Sequence, residues 1–210
     1  MQSFRYEELS RRYALLHGVL RALLAGYSGI EASEIAFRYG DRGKPRLIHP
    51  TYLHFNISDS GDLGLYAFAC DCEIGVDLEE IQPISGGLES VARCFFSPLE
   101  TAELLSLPEG ERLSAFYRCW TRKEAYVKAV GDGLAIPLDT FQVSLLPKVP
   151  AAFVQFPEQS TTSASWELHH LDPDKGYVGA IAYAGAPRLL EIRKGLLAED
   201  VIGWLIGDHT

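Results

Sequence analysis

Three carboxylates and one ammonium stand in two short stretches whose spacing could bring them together. In IGVDLEEI, Asp77 and Glu79 are two residues apart, so in a strand both would point to one face, about 6.6 Å apart along the chain. In CWTRKEAYVKAVGDGL, Trp120, Glu124 and Lys128 recur every fourth residue, along one side of a helix. A solvated strand edge and a surface salt bridge would show the same spacing. The spacing alone therefore does not show that the three carboxylates and the ammonium lie together, which depends on the fold.

The chemistry that this set could perform depends on a hard cation. Carboxylate oxygens without His or Cys nearby in sequence are the ligands that Mg²⁺ prefers. A metal held by Asp77, Glu79 and Glu124 can neutralise a diphosphate and orient it for attack. Lys128, one turn beyond Glu124, could reach a phosphate oxygen or protonate a leaving group. The four residues are therefore sufficient for a phosphoryl-type transfer if the strand and the helix meet.

The elements that must position these residues follow from apolar periodicity and turn residues. Ser97, Pro98 and Glu100 form a capping box that predicts the start of a helix. The period of apolar residues predicts further helices over 8–26 and about 111–130, and a weak one over 197–206. The stretch 54–81 predicts three strands with turns at Gly61-Asp62 and 71–73, and 33–48 predicts two short strands around a Gly-rich turn. Further predicted strands are 139–146, about 151–156, 165–170 and 177–184, with a loop over 157–163. The fold class is α+β with mostly antiparallel strands, and LGLYAFA and YVGAIAYA are similar enough to be equivalent central strands of two halves.

Composition and cysteine usage describe an ordinary globular protein. The chain has 210 residues, of which 47% are hydrophobic and 22% charged. It has no apolar run of the roughly 18 residues that a membrane span needs, and its N-terminus lacks a signal-peptide core. The four cysteines form no zinc pattern, so reduced thiols are expected. These features predict a cytoplasmic protein without a membrane partner.

The distribution of charge argues against one partner and for another. A net charge of −9 disfavours nucleic acid, which needs clustered basic surface. Residues 1–46, however, hold eight Lys and Arg against five Asp and Glu, a net +3, and the remainder carries −12. A basic segment on an acidic protein indicates a small anionic ligand held locally, although a solvated helix face would give the same count.

The two motif stretches resemble the paired motifs of 4'-phosphopantetheinyl transferases of the surfactin-synthetase (Sfp) type. Those motifs read G-[IV]-D-[IVL]-E and [FW]-x-x-[KM]-E-[AS]-x-x-K. The blocks GKPRL, FNISDSGD and RCFFSPLE also resemble the family's intervening blocks, in the same order. The likeness covers about residues 11–145 closely and the last part loosely. The residues that fill the two motifs are Gly75, Asp77, Glu79, Trp120, Lys123, Glu124, Ala125 and Lys128.

Such enzymes transfer the 4'-phosphopantetheine arm of coenzyme A to a serine of an apo acyl or peptidyl carrier protein and release 3',5'-ADP. The carriers serve fatty-acid, polyketide or nonribosomal peptide synthesis. The resemblance implies a pseudo-dimer of two similar α/β halves, here 1–75 and 76–210, with the active site in the cleft between them. It also implies that Asp77, Glu79 and Glu124 hold Mg²⁺ against the diphosphate of coenzyme A.

The resemblance assigns further roles by position. Glu124 is also the expected base for the incoming serine, either directly or through a metal-bound water. Lys128 is expected to stabilise the diphosphate and the departing nucleotide. Lys44 and Ser58, the latter in a Ser58–Ser60 turn, are expected to bind the nucleotide phosphates. The backbone and side chains expected to line the adenine site are Tyr39, Gly40, Gly43, Lys44 and Pro45, with Arg12 as a further cation.

The chain departs from the family pattern at two places. Asp59 stands where the family usually has a histidine that contacts a coenzyme A phosphate; Arg12, Arg42 or Lys44 would compensate, or Asp59 points away. Family members also usually have a further segment before RRYALLHGVLRALL, and a missing strand would leave an unpaired edge. An unpaired edge invites association, so dimerisation stays open beside the expected monomer. Two alternatives remain at this point: a non-catalytic relative that binds carrier protein, and an unrelated Mg²⁺-dependent phosphohydrolase.

Overall fold

The computed structural model of the protein describes residues 2–131, 136–156 and 165–194. The predicted loop over 157–163 and the predicted helix over 197–206 lie outside the described residues. None of the helices in the described ranges is long and apolar enough to cross a membrane.

Within the ranges that the structure describes, the chain forms four α-helices and a short 3-10 turn. The capping box is confirmed: the Glu100 N–H donates to Ser97 Oγ at 3.2 Å, and the Ser97 N–H donates to Glu100 Oε2 at 2.9 Å. The second helix was not anticipated, because eight residues are too few to show a helical period. The helices are α1 (Gln2–Ser28), α2 (Leu88–Phe95), α3 (Pro98–Ser106) and α4 (Glu109–Val130), and the 3-10 turn is Leu138–Thr140.

Nine strands form four small sheets in the described residues. The strands are β1 (Phe37–Tyr39), β2 (Pro45–Leu47), β3 (Leu53–Ser60), β4 (Leu63–Cys70), β5 (Ile74–Glu80), β6 (Gln142–Val143), β7 (Phe153–Gln155), β8 (Trp166–Leu171) and β9 (Tyr177–Ala184). The sheet orders are β1-β2, β3-β4, β5-β9-β8 and β6-β7. The pairs β3-β4, β5-β9, β8-β9 and β6-β7 are antiparallel, which confirms the α+β class with antiparallel strands.

Two local predictions were wrong. Ser58–Ser60 is not a turn but the end of β3, and the chain turns at Gly61, whose φ is 51°. Residues 139–146 form a strand only over two residues, because cations of α4 bind carbonyls of this segment and of Leu138 just before it. Lys123 Nζ donates to the carbonyls of Leu138 (2.7 Å) and Phe141, which bends the segment into a 3-10 turn followed by the two-residue β6.

The chain divides into two compact units. The first consists of Met1–Arg38, Leu47–Thr51 and Leu189–Thr210, and the second of Tyr39–Arg46 and Tyr52–Arg188. In the first unit, α1 buries apolar residues such as Leu20 and Leu24. In the second unit, α4 packs against the β5-β9-β8 sheet. The division into halves 1–75 and 76–210 remains a prediction.

Helix α4 lies directly against β5 because Gly75 has no side chain. A Cβ at Gly75 would collide with the carbonyl oxygen of Ala125 and the amide nitrogen of Ala129. Both alanines are fully buried, so the two backbones meet without a layer of side chains between them. Asp77 lies two residues after Gly75, on the same face of the strand, and is thereby directed toward the helix.

Strand β3 is attached to β5 through side chains rather than through a backbone ladder. The amides of Val76, Leu78 and Glu80 on β5 donate at 2.9, 3.2 and 3.0 Å. Their acceptors are alternate residues of β3, namely Asn56 Oδ1, Ser58 Oγ and Ser60 Oγ. We call this contact the β3–β5 seam. It brings the buried Ser58 hydroxyl next to the carboxylate of Asp77.

Candidate active site

Strand β3, strand β5 and helix α4 meet at one charged node. Lys128 Nζ lies 2.6 Å from Asp77 Oδ1 and donates to Ser58 Oγ at 2.9 Å. The Ser58 hydroxyl in turn donates to Asp77 Oδ1 at 3.2 Å and accepts from the Leu78 amide. Ser58, Asp77 and Lys128, which were predicted as site residues from separate stretches of the sequence, are therefore in direct contact.

Asp77 is the member of this node whose negative charge is least well compensated. The residue is only 4% exposed, and its Oδ2 is buried without a hydrogen-bond partner among the described residues. Burial raises the pKa of Asp77 above its ordinary value, although Lys128 and Ser58 both act to lower it. A buried carboxylate with one unsatisfied oxygen would be stabilised by a further cation or hydrogen-bond donor.

Glu79 and Glu124 also have carboxylates whose charge is poorly compensated. Burial, followed by the charge of Asp77, raises the pKa of each, and the nearby Lys128 only partly offsets the effect. Ser60 Oγ donates to Glu79 Oε2 at 3.4 Å. The charge of Asp77 is thus close enough to each of these two glutamates to disfavour its ionised form.

Trp120 holds the helix beside these acids. Its ring stacks on Phe116 with centroids 5.9 Å apart and an angle of 16°, and meets Phe95 edge-on at 5.5 Å. A hydrogen bond from Trp120 also helps to lower the pKa of Glu79 against the larger effect of burial. The tryptophan therefore serves both the packing of α4 and the acidic site.

The predicted metal ligands fit Mg²⁺ by chemistry but are not assembled as a metal centre. Over residues 2–131, 136–156 and 165–194, no three His, Cys, Asp or Glu side chains are grouped so that they could hold a metal ion. The Lys128 ammonium contacts Asp77 Oδ1, so a metal ion would have to compete with this ammonium for that oxygen. The oxygen donors, the unsatisfied Asp77 Oδ2 and the raised pKa values of the acids all match a group that would bring positive charge.

Lys44 has a structural environment that the sequence did not reveal. Its ammonium is largely buried and donates to the carbonyl of Ala129 at 2.6 Å, to Glu73 Oε2 at 3.0 Å and to the carbonyl of Ile74 at 3.2 Å. All three ammonium protons therefore have acceptors. Phosphate binding by this side chain remains a prediction that requires at least one of these hydrogen bonds to be exchanged.

The remaining predicted nucleotide ligands lie in a tight turn. The Gly40 amide donates to the Lys44 carbonyl at 3.0 Å, and the Gly43 amide donates to the Gly40 carbonyl at 2.9 Å. Gly43 has a φ of 85°, a conformation that favours glycine. Tyr39 is 70% exposed and Pro45 is half-buried, so the turn presents backbone and an aromatic ring to solvent.

The expected roles of Arg12 and Asp59 in coenzyme A binding remain predictions. Arg12 lies on an exposed part of α1, in the first unit. Asp59 is exposed and, by strand alternation, points to the face of β3 opposite Ser58. Burial, with the charge of Asp59, raises the pKa of Tyr66 to about 12. The alternative that Asp59 points away from the Ser58 face is therefore the one that the fold produces.

A pocket of about 600 Å³ opens beside Glu79. Sequence reasoning missed it, because its walls come from the end of β3, the segment after β5, α2 and α4. Aromatic, apolar and polar side chains all contribute to its lining. The lining includes Ser60, Glu79, Ile84, Val91, Tyr117 and Trp120.

Comparison with known sequences decides the family. The sequence model of the 4'-phosphopantetheinyl transferase superfamily matches residues 73–182, which contain β5, α4 and the acidic site. The chain belongs to this superfamily. This match confirms the family that the two sequence motifs indicate.

Curated members of the superfamily share most of the chain. The 4'-phosphopantetheinyl transferase HetI of Nostoc sp. is 41% identical over 87% of this chain and 74% of its own length. The transferase ffp of Bacillus subtilis is 35% identical over 86% of this chain and 77% of its own. The transferase Sfp of Bacillus subtilis strain 168 is 37% identical over 68% and 62%, respectively.

Proposed function

We propose that this 4'-phosphopantetheinyl transferase moves the phosphopantetheine arm of coenzyme A to a serine hydroxyl of an apo carrier protein and releases 3',5'-ADP. The observation that carries the proposal is the node of Lys128, Asp77 and Ser58 beside two further acids with raised pKa values. The names of the curated relatives support the same activity.

The acidic site would hold the diphosphate of coenzyme A together with Mg²⁺. Asp77, Glu79 and Glu124 would be the protein ligands of the ion, with the unsatisfied Asp77 Oδ2 as the first of them. When bound, Mg²⁺ would neutralise the diphosphate and make the phosphorus that carries the pantetheine arm easier to attack. Lys128 would exchange its contact with Asp77 for a phosphate oxygen, and the Ser58 hydroxyl, which Lys128 contacts at 2.9 Å, would donate to the same group.

Glu124 would take the proton of the incoming serine. It is half-buried, and burial together with Asp77 raises its pKa, which makes its carboxylate a stronger base than an exposed glutamate. The serine oxygen then forms a bond to the phosphorus that carries the pantetheine arm. The bond from that phosphorus to the 3',5'-ADP oxygen breaks, and Lys128 stabilises the charge that leaves with the nucleotide.

The pocket beside Glu79 would receive the pantetheine arm. Its polar groups, such as Ser60 and Gln82, suit amides, and its apolar wall of Ile84, Val91 and Trp120 suits the methylene groups between them. Because Glu79 belongs to both the pocket and the acidic site, an arm bound there would extend away from the reacting phosphorus. The turn of residues 40–45 would lie on the nucleotide side, with the basic character of residues 1–46 favouring the anionic ligand.

The test is the mass of the carrier. The protein would be incubated with Mg²⁺, coenzyme A and a panel of apo acyl and peptidyl carrier proteins, and each carrier weighed by intact mass spectrometry. We expect a gain of one phosphopantetheine arm that EDTA abolishes and that Glu124→Gln and Asp77→Ala each reduce at least a hundredfold. Glu89→Gln, at an exposed helix pair with Arg93, is the matched control.

Two results would contradict the proposal. No mass gain on any carrier by a folded protein would favour a carrier-binding relative without transfer. Near-normal transfer by both acidic-site variants, with circular dichroism showing native structure, would show that these carboxylates do not hold the reacting groups.

A further inference from the structure

Glu73, the residue directly before β5, gathers three basic side chains around one carboxylate. Its Oε2 accepts from Lys44 at 3.0 Å, and its Oε1 accepts from the guanidinium of Arg46 and lies 3.4 Å from His54 Nδ1. Glu73 was not singled out by its sequence, since it lies just outside the G-x-D-x-E motif. Its side chain is 28% exposed, so these contacts are only partly screened by water.

The same cluster joins the turn of residues 40–45 to the end of α4. Lys44 reaches from the turn past Glu73 to the carbonyl of Ala129, in the last turn of the helix that carries Lys128. A cation is favourable at the C-terminal end of a helix. The Lys44 stem packs against Gly131, where an added Cβ would lie 2.8 Å from Lys44 Cδ. The turn and the helix end are thus connected by one buried side chain whose direction Glu73 helps to fix.

The basic side chains of the cluster stabilise the ionised form of Glu73. Burial alone would raise the pKa of this carboxyl, but the hydrogen bond from Arg46 and the charge of Lys44 outweigh burial, and the pKa lies below its ordinary value. Burial lowers the pKa of Lys44, and Glu73 acts against this effect. Loss of the carboxylate would therefore leave Lys44 and Arg46 as like charges without their shared counter-ion.

We propose that Glu73 is a positioning residue for nucleotide binding: through Lys44 and Arg46 it sets the spacing between the 40–45 turn and the helix end that carries Lys128. This inference rests on the proposed function, in which the turn faces the nucleotide and Lys128 the diphosphate. Glu73 itself would touch neither group, because Lys44 and Arg46 already bind its two carboxylate oxygens. Its effect should appear in the binding of the nucleotide and not in the chemical step.

The test is Glu73→Gln, which keeps the size of the side chain and removes its charge. We expect the KM for coenzyme A to rise about fivefold, equivalent to about 1 kcal/mol, with kcat within twofold of the wild type. The dissociation constant of 3',5'-ADP, measured by calorimetry without any carrier protein, should rise by the same factor. Glu73→Asp, which restores the charge, should recover part of the affinity. Glu89→Gln should change neither constant.

The outcomes separate the positioning role from the proposed function. If the wild type binds neither coenzyme A nor 3',5'-ADP, the proposed function fails. If the wild type binds and transfers but Glu73→Gln keeps full affinity, only the positioning role is wrong. Tighter binding by Glu73→Gln would show instead that Glu73 competes with phosphate, and a fall in kcat at constant KM would place it in catalysis; both results overturn the inference. Should Glu73→Gln not fold, Arg46→Gln removes the charge pair from its other side and is expected to raise the same constants.

Discussion

Lys128→Met removes the only basic side chain that the structure places on the Asp77 carboxylate in the described residues. At 2.6 Å and an effective dielectric constant of about 20, the two charges attract by about 6 kcal/mol before desolvation is counted. Breaking a buried pair by removing one partner costs about 3–5 kcal/mol. Because the Lys128 side chain is 31% exposed and that of Asp77 6%, water screens the pair in part, and we expect a loss at or just below this range, about 2–3 kcal/mol in the free energy of unfolding at pH 7.

The measurement is urea unfolding in EDTA, followed by circular dichroism. Methionine keeps the length and much of the apolar stem of lysine, so lost packing contributes little. The matched control is Lys175→Met, an exposed lysine in the turn before β9, which should stay within about 0.5 kcal/mol of the wild type. Added Mg²⁺ should stabilise Lys128→Met more than the wild type, since the ion no longer competes with the ammonium for Asp77. Transfer activity should nevertheless be lost.

Equal stability of Lys128→Met and Lys175→Met would refute this reasoning. It would mean that Asp77 is protonated at pH 7 and needs no cation. A stabilisation by Mg²⁺ that is the same in the wild type and in Lys128→Met would show that the ion does not compete for this carboxylate.

Three further predictions follow from the fold. Gly75→Ala should lower the free energy of unfolding by about 3 kcal/mol, because the new Cβ meets helix backbone that cannot move aside; a change below about 0.5 kcal/mol in urea unfolding would contradict the close approach of α4 to β5. For Glu73, the folded pKa lies below the unfolded one, so its ionised form stabilises the protein above about pH 4.3 and the effect is lost as the pH falls through the folded pKa. The difference in unfolding free energy between wild type and Glu73→Gln, about 1 kcal/mol at pH 7, should therefore vanish in acid, and a difference that grows in acid would reverse the sign of this argument. Asp59→His should leave the KM for coenzyme A within twofold, since Asp59 faces away from Ser58, and it should lower the pKa of Tyr66 in an ultraviolet titration; a large gain in coenzyme A affinity would place Asp59 at the phosphate after all.

The acidic site could be predicted because it depends on two local periods. Strand alternation puts Asp77 and Glu79 on one face, and the helical repeat puts Glu124 and Lys128 on one side of α4, whatever the rest of the chain does. Gly75, which belongs to the first motif, supplies the close approach that joins the strand to the helix. The class of the fold followed from the same periods.

The contacts that the sequence did not reveal are those between distant groups without a periodic signal. The acceptors of Lys44 include the carbonyls of Ile74 and Ala129, and no residue type identifies a backbone carbonyl as the partner of a cation. Ser58 and its neighbours have the composition of a turn, but the seam with β5 gives them partners that keep β3 extended through Ser60. Tertiary hydrogen bonds overrode local preference at both places.

The β3–β5 seam has a consequence for the evolution of the chain. A backbone ladder accepts almost any side chain, whereas this seam requires an oxygen on the side chain at each of three alternate positions, Asn56, Ser58 and Ser60. Ser58 carries two constraints at once, since its single oxygen both closes the edge of β5 and contacts Lys128 and Asp77. Mutational drift at this position would expose β5 amides to pairing with other chains and disturb the charged node in the same event, so aggregation and loss of activity should be inherited together.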